Sequence, residues 1–290
     1  MRCDKGELGR VALATCAELP DGDEDFPARI AALDGLGIGA EPAVWDADVD
    51  WPAFDLVVLR STWDYAERRD AFLDWARSLP RVLNPVPVLE WNTDKQRYLT
   101  DLDTAGVPIV PTAFVGPGQS VLPPDEPFVV KPAISAGGRS SARFEPAEAD
   151  AARALVARIQ AEGRTAMVQP LLGDADERAL VYIDGAYSHA VRRRVPLPNA
   201  GERAVFYLDE ELGPAEAPPA AQVVAAAALA CAPGELLYAR VDLLGGSVLE
   251  LELTEPSLYL GYGPGAAARF AAAVNQRLRM RPEKGRITSQ

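Results

Sequence analysis

The stretch Ala239-Arg240-Val241-Asp242-Leu243-Leu244-Gly245-Gly246-Ser247-Val248-Leu249-Glu250-Leu251-Glu252-Leu253 decides how this chain is read. Glu250 and Glu252 alternate with leucines, the period of a strand with one face in a core. On that pattern Leu249, Leu251 and Leu253 take the core face. The two glutamates share the other face, about 6.5 Å apart along the strand. Leu236 to Leu243 is also strand-like, and Gly245-Gly246 marks a hairpin turn. A three-residue loop, Gly245 to Ser247, sets Asp242 opposite Glu250 and Arg240 opposite Glu252. A two-residue loop sets Asp242 opposite Leu249 and scatters the acids. The first register gathers three carboxylates, which repel one another unless a hard cation such as Mg²⁺ or Mn²⁺ joins them. Taken alone, the hairpin also fits a solvated acidic strand face.

Upstream residues supply what such a cation would need beside it. Phe128-Val129-Val130 is a buried strand that ends in Lys131, and Ser135-Ala136-Gly137-Gly138-Arg139-Ser140-Ser141 follows. Glycines let backbone N–H groups approach an anion closely, and a lysine beside the loop adds a point charge for phosphate. The P-loop spacing is absent. Lys95 stands near a helix start, where the helix dipole does not favour a cation, so a ligand role follows. Arg192-Arg193-Arg194 closes a strand and reads as an anion clamp, or else as a solvated basic run.

Composition narrows the classes. The chain has 290 residues, 48% apolar and 24% charged, and a net charge of −13. That balance predicts a globular protein and argues against nucleic acid or anionic lipid as a partner. No apolar run reaches membrane-spanning length and the N-terminus lacks a signal-peptide pattern. Cys3, Cys16 and Cys231 are far apart and odd in number, which suggests reduced thiols and a cytoplasmic setting. His189 is the single histidine. It excludes a histidine-rich metal site; it is either a proton-transfer or substrate residue, or a packed, hydrogen-bonded one.

Strand-helix-strand order over about the first 85 residues predicts a Rossmann-like open sheet. Ligands of such sheets bind beyond the carboxyl ends of strands. This makes Thr15, after the first strand, and Ser61-Thr62-Trp63-Asp64, after Asp55 to Arg60, candidate substrate residues. The alternative for the second group is a helix N-cap with a packed tryptophan. Asn84 to Pro87 reads as a rigid connector, Thr93 to Ala105 as a helix capped by Thr93 or Asp94, and Pro196 to Pro219 as irregular.

These motifs, in this order, resemble the ATP-grasp superfamily over nearly the whole chain. The resemblance implies an α/β (α+β) fold with an N-terminal Rossmann-like pre-ATP-grasp domain (1–90), a small lid subdomain (91–168) and a C-terminal subdomain with the metal site (169–290). It implies ATP and Mg²⁺ (Mn²⁺ as an alternative), held by Lys95, Lys131, Ser135, Ala136, Gly137 and Gly138 on the phosphates. Gln169, Pro170 and Leu171 would read adenine, Asp174 the ribose, and Asp242, Glu250 and Glu252 the metal. Glu252 stands where many relatives carry Asn. Arg240 corresponds to an arginine that steadies the transferring phosphoryl group, and Arg193, Arg194 and Arg203 fall in a segment that touches substrate.

Arg60 to Tyr65, Trp91 to Lys95, Tyr187 to Arg192 and Glu252 to Leu258 are similar to the branch containing D-cycloserine synthetase, the O-ureido-D-serine cyclo-ligase. That likeness adds His189, Glu255 and Ser257 to the substrate set. It implies a carbon–nitrogen ligase that activates an amino-acid-like carboxylate as an acyl phosphate, with ring closure favoured and a homodimer possible. The alternatives are an intermolecular ligase, a kinase, and a nucleotide-binding protein without turnover.

Overall fold

The computed structural model describes residues 8–120, 124–138, 140–173, 177–199 and 210–280. The expected site residues Asp174 and Arg203 lie outside them, as do Cys3 and Arg139. Three sheets follow one another along the chain.

The first sheet forms from β1 (Arg10–Thr15), α1 (Phe26–Asp34), β2 (Gly39–Val44), β3 (Leu56–Ser61), α2 (Arg69–Ser78) and β4 (Val82–Leu83). Its strand order is β2-β1-β3-β4, with parallel pairing throughout. β1 and β3 are buried on both faces, which explains their unbroken apolar runs. The Asn84–Pro87 connector is shorter than expected. Pro87 falls in the first turn of α3 (Val86–Asn92), where its missing N–H costs nothing. In α4 (Lys95–Thr104) the Asp94 side chain accepts from the Gln96 and Arg97 amides, so Asp94 is the N-cap.

The second sheet contains β5 (Ala113–Val115), β6 (Phe128–Pro132) and β7 (Ala142–Phe144), then α5 (Ala149–Ala161) and β8 (Ala166–Pro170). Its order is β5-β8-β6-β7, with α5 packed on it through Leu155, Val156 and Ile159. The third sheet has β9 (Glu177–Ile183), β10 (Ala186–Arg194), β11 (Glu211–Ala215), α6 (Pro219–Ala230), β12 (Tyr238–Leu244) and β13 (Ser247–Glu252), followed by α7 (Ala266–Arg279). It is antiparallel, in the order β11-β10-β9-β12-β13. The stretch expected to be irregular after Pro196 thus includes the edge strand β11.

Two cores tie these parts together. Leu33 of α1 and Val11 and Val58 of the first sheet pack with Phe270 and Val274 of α7 and with Leu258 and Leu260. Trp91, Tyr98 and Leu102 of α3 and α4 pack on Leu180, Val241 and Leu251 of the third sheet. Residues 86–107 therefore carry Lys95 on the back of the third sheet, whereas Lys131 rides on the second. Of the thiols described, Cys16 and Cys231 are free, and burial pushes Cys16 up to about 11.

Candidate active site

The hairpin of β12 and β13 pairs Asp242 with Glu250 and Arg240 with Glu252, the register the acids require. The route to it differs from the expected three-residue loop. Leu244 pairs with Ser247, so the turn is Gly245-Gly246 alone, with φ of 60° and 88°. Positive φ at both positions is the two-residue turn that glycine allows at no steric cost. A β-bulge between Asp242 and Leu243 then absorbs one extra residue on β13 and restores the register. The extra residue is Leu249. It is only half-buried and lines the cleft, while Val248, Leu251 and Leu253 take the core face.

Asp242, Glu250 and Glu252 each place a carboxylate oxygen within 4.8 Å of the others. All three are held by cations of the chain. Asp242, fully buried, accepts from Arg240 Nε at 2.9 Å, from Arg240 at 3.0 Å through its second oxygen, and from Arg193 at 2.6 Å. Glu252 pairs with Arg240, and Glu250 with Lys131 at 2.6 Å. Burial raises both glutamates, but the outcomes diverge. Lys131 and Lys95 override burial at Glu250 and hold it well below the carboxylate range; at Glu252 burial, only partly offset by Arg240, gives about 7.

A cleft of about 1180 Å³ opens above these acids. Lys131, Lys95, Ser135, Ala136, Gly137, Gly138, Gln169, Pro170 and Leu171 line it, together with Arg193, Arg194, Arg240, Glu250, Glu252, Glu255 and Ser257. Lys95 Nζ donates to the Ser135 carbonyl at 3.0 Å, joining α4 to the glycine loop. Gly137 and Gly138 have φ of 63° and 72°, a conformation that brings backbone N–H groups to a common side. Gln169 turns its amide to Thr112 Oγ1 at 2.9 Å, and the Leu171 N–H donates to the Pro127 carbonyl at 2.8 Å, so residues 169–171 line the cleft as a fixed backbone edge. The arginine run splits by strand alternation. Arg193 is enclosed by Glu177, Glu210 and Asp242 at 2.6–3.1 Å, while Arg194 is exposed and reaches Glu211 at 3.7 Å.

Five expected substrate residues do not reach the cleft. Thr15 and Ser61 are fully buried and share a hydroxyl–hydroxyl bond of 2.9 Å. Thr62 is fully buried too, and Asp64 is held by Trp45 Nε1 at 2.8 Å and by Arg68. His189 lies under the loop that follows β13. Its Nε2 is 3.0 and 3.1 Å from the Leu258 and Tyr259 carbonyls. Carbonyls only accept, so Nε2 carries the proton and Nδ1 accepts from Ser188 Oγ at 2.9 Å. Desolvation lowers the pKa of His189, in keeping with this neutral form. Of the N-terminal candidates, Trp63 alone lines the cleft.

Of the five residues that miss the cleft, His189 shares a task with side chains from elsewhere in the chain. Residues 253–259 run without a strand partner, and each carbonyl meets a side chain. Asn84 Nδ2 reaches Leu253 at 2.7 Å, Tyr238 Oη reaches Thr254 at 2.9 Å and Trp63 Nε1 reaches Glu255 at 3.1 Å. Arg60 donates to Pro256 and Arg240 to Ser257, and His189 closes the series at Leu258 and Tyr259. These donors fix the segment that presents Glu255 and Ser257, at roughly 1 kcal/mol net per bond.

Sequence reasoning missed Glu177, Glu210 and Tyr259; Tyr65, which ends the Arg60–Tyr65 run singled out in the sequence, lines the cleft. Glu177 and Glu210 flank Arg193, and burial, partly offset by Arg193, pushes Glu177 up to about 7. Tyr259 Oη donates to Glu210 at 2.6 Å and lies 3.2 Å from Arg240, on a backbone with φ of 48°. A left-handed non-glycine residue is uncommon and gathers at functional sites. The Glu-Pro-Ser break beside an acidic strand was the one local signal available for Tyr259; none pointed to Glu177 or Glu210.

The comparisons agree with this geometry. The family described as "D-cycloserine synthetase DcsG, N-terminal domain" matches residues 11–84. The cycloserine biosynthesis protein DcsG of Streptomyces lavendulae is 37% identical over 300 residues, covering 94% of this chain and 100% of that protein. The crystal structure of D-cycloserine synthetase DcsG superposes with a TM-score of 0.81 at 35% identity, covering 93% of this chain and 100% of that one. D-alanine–D-alanine ligase from Bacillus anthracis shares the fold, with a TM-score of 0.64 at 14% identity over 93% of this chain and 98% of that one. With its ATP-grasp fold and its identity spread over nearly the full length of both proteins, the chain belongs to the D-cycloserine synthetase (DcsG) family.

Proposed function

We propose that this chain is an ATP- and Mg²⁺-dependent ligase that activates the carboxylate of a small amino acid and closes a ring through a nitrogen of the same molecule. In this reading the substrate is O-ureido-D-serine and the product D-cycloserine. One observation carries it: three carboxylate oxygens lie within 4.8 Å of one another, and two of those residues, Glu250 and Glu252, line a cleft with Lys95, Lys131 and the Ser135–Gly138 loop. Hard oxygen donors in that number suit Mg²⁺ completed by substrate phosphates. The bound ion would neutralise phosphate charge and align the γ-phosphoryl group.

The chain's own residues do the rest. Lys131 exchanges the Glu250 carboxylate for phosphate oxygens, and Lys95, anchored to the Ser135 carbonyl, holds the glycine loop near the same phosphates. Arg240, fixed by Asp242, Glu252 and the Ser257 carbonyl, faces the charge that develops during acyl phosphate formation. The ureido nitrogen bonded to oxygen then attacks the acyl carbon, the C–N bond forms and phosphate leaves; water then cleaves the carbamoyl group from that nitrogen, releasing ammonia and carbon dioxide, to give D-cycloserine. Positioning carries this chemistry, and no nucleophile of the chain takes part.

The three-part division at 90 and 168 belongs to the same proposal: the second sheet acts as the lid over a base formed by the third. Incubation with ATP, Mg²⁺ and O-ureido-D-serine should release ADP and phosphate in equal amounts together with D-cycloserine by mass. ADP without free phosphate would point to a kinase, and ATP binding without ADP to a protein that does not turn over.

A further inference from the structure

Six glutamates line the cleft: Glu177, Glu210, Glu211, Glu250, Glu252 and Glu255. Five are spoken for. Glu177 and Glu210 pair with Arg193, Glu211 with Arg194, Glu250 with Lys131 and Glu252 with Arg240. Glu255 is 9% exposed, and its carboxylate has no ion pair or hydrogen bond among the described residues. We infer that Glu255 is the receptor for a free ammonium group of the substrate.

A buried carboxylate without a partner is costly, and the cost remains until a cation or a donor arrives. Among the described residues none pairs with the Glu255 carboxylate, although each of the other five glutamates of the cleft has an ion-pair partner. The main chain of Glu255 is fixed by the Trp63 Nε1 bond to its carbonyl, so the carboxylate is placed rather than loose. Trp63 and Tyr65 line the same cleft, and Tyr65 lies close enough to sense the Glu255 charge. Aromatic rings beside a carboxylate suit an ammonium ion, which gains from both. Burial, strengthened by Glu252 and only partly offset by Lys95, Arg60 and Arg240 at a distance, pushes Glu255 up to about 8, so a cation in direct contact would be favoured there. The ligand class is therefore an amino acid with its α-amino group free and protonated; an N-acylated one is refused.

This inference rests on the amino-acid reading of the cleft, and the experiment separates the two. The full chain, saturated with Mg²⁺ and a non-hydrolysable ATP analogue, is titrated calorimetrically with O-ureido-D-serine and with the analogue bearing hydrogen in place of the α-amino group. Wild type should prefer the amino form at least about 30-fold, the usual cost of removing one partner of a buried charge pair. Glu255→Gln should bind both forms within about threefold, and Glu255→Asp should recover part of the preference. Unchanged nucleotide affinity would show that the variants are folded. A wild type that does not discriminate overturns the inference without any variant, and so does a Glu255→Gln protein with the wild-type preference. ADP release in parallel samples tests the broader reading. Amino-selective binding without ADP sinks the ligase reading and keeps the receptor; ADP with unaltered selectivity in Glu255→Gln does the reverse.

Discussion

Replacing Glu255 by glutamine should make the ligand-free protein more stable at alkaline pH while impairing its substrate site. Glu255 is nine-tenths buried, and burial raises its carboxyl from 4.5 to about 8, with Glu252 adding to the shift and Lys95 opposing it. Between those values the folded chain keeps a proton that the unfolded chain has lost. Stability therefore falls as pH rises through that window; the loss is absent below 4.5 and complete above 8. At about 1.4 kcal/mol per pH unit, the gap between 4.5 and 8 amounts to about 5 kcal/mol. Relaxation and residual solvent bring the observable share to about 2–3 kcal/mol. Glutamine, neutral at every pH, removes the penalty. For a chain of this size that corresponds to a rise in Tm of about 5–10 °C. Calorimetric scans without ligand should find the two proteins within about 1 °C at pH 5 and separated by the full amount at pH 9. Glu177, raised to about 7, is present in both proteins and cancels in the comparison, whereas Glu252, which repels Glu255, is itself relieved in the glutamine variant and adds to the difference in the same direction. A difference that stays flat with pH, or a wild type more stable at pH 9, refutes the argument.

Three further outcomes follow from the geometry. Asp242→Asn should abolish ADP formation and also cost about 3–5 kcal/mol in denaturant melts, because Arg240 and Arg193 lose a buried carboxylate together; turnover at the wild-type level would remove Asp242 from the metal site. Gly263→Ala should mimic His189→Ala, since a Cβ at 263 lies 2.4 Å from His189 Nδ1. Both variants should raise the KM for the amino acid about tenfold and leave ATP affinity alone, at a stability cost of about 1–3 kcal/mol for carbonyls left unbonded; a kcat loss without a KM change would contradict the positioning role. Deleting Leu249 should leave a regular two-residue hairpin in which Asp242 still faces Glu250, so Mg²⁺-dependent nucleotide binding persists. Deleting Val248 and Leu249 together brings Leu251 opposite Asp242 and should end that binding.

The hairpin shows how far the sequence could be read. The alternation of leucine and glutamate was sufficient to predict which acids meet, because register follows from which face is buried. It was insufficient to predict how they meet. A bulge leaves no period of its own, so the apolar Leu249 was assigned to the core when it forms part of the cleft wall. The rule that open sheets bind ligands beyond their strand ends located the right region and one right residue, Trp63. It could not say that Thr15, Ser61 and Asp64 turn inward, since that depends on Trp45, Arg68 and each other. Glu177 and Glu210 were invisible because only strand pairing brings β9 and the start of β11 to Arg193 on β10.

The carbonyl series from Leu253 to Tyr259 gives buried polar side chains outside the cleft a structural task. Its donors come from Arg60, Trp63, Asn84, His189, Tyr238 and Arg240, spread over all but the second sheet. A polar backbone segment buried without a strand partner must find donors elsewhere. Here three of the six, Arg60, Trp63 and Asn84, come from the first sheet and the segments that follow its strands. The position of Glu255 is thus set by how the first sheet docks against the third, through the core that Leu258 and Leu260 share with Val11 and Val58. His189 and Trp63, expected from the sequence to contact substrate, hold the segment that carries Glu255 and Ser257. On this view the N-terminal sheet contributes to specificity through rigidity, and substitutions in its buried polar residues should change the KM of the amino acid before they change the affinity for ATP.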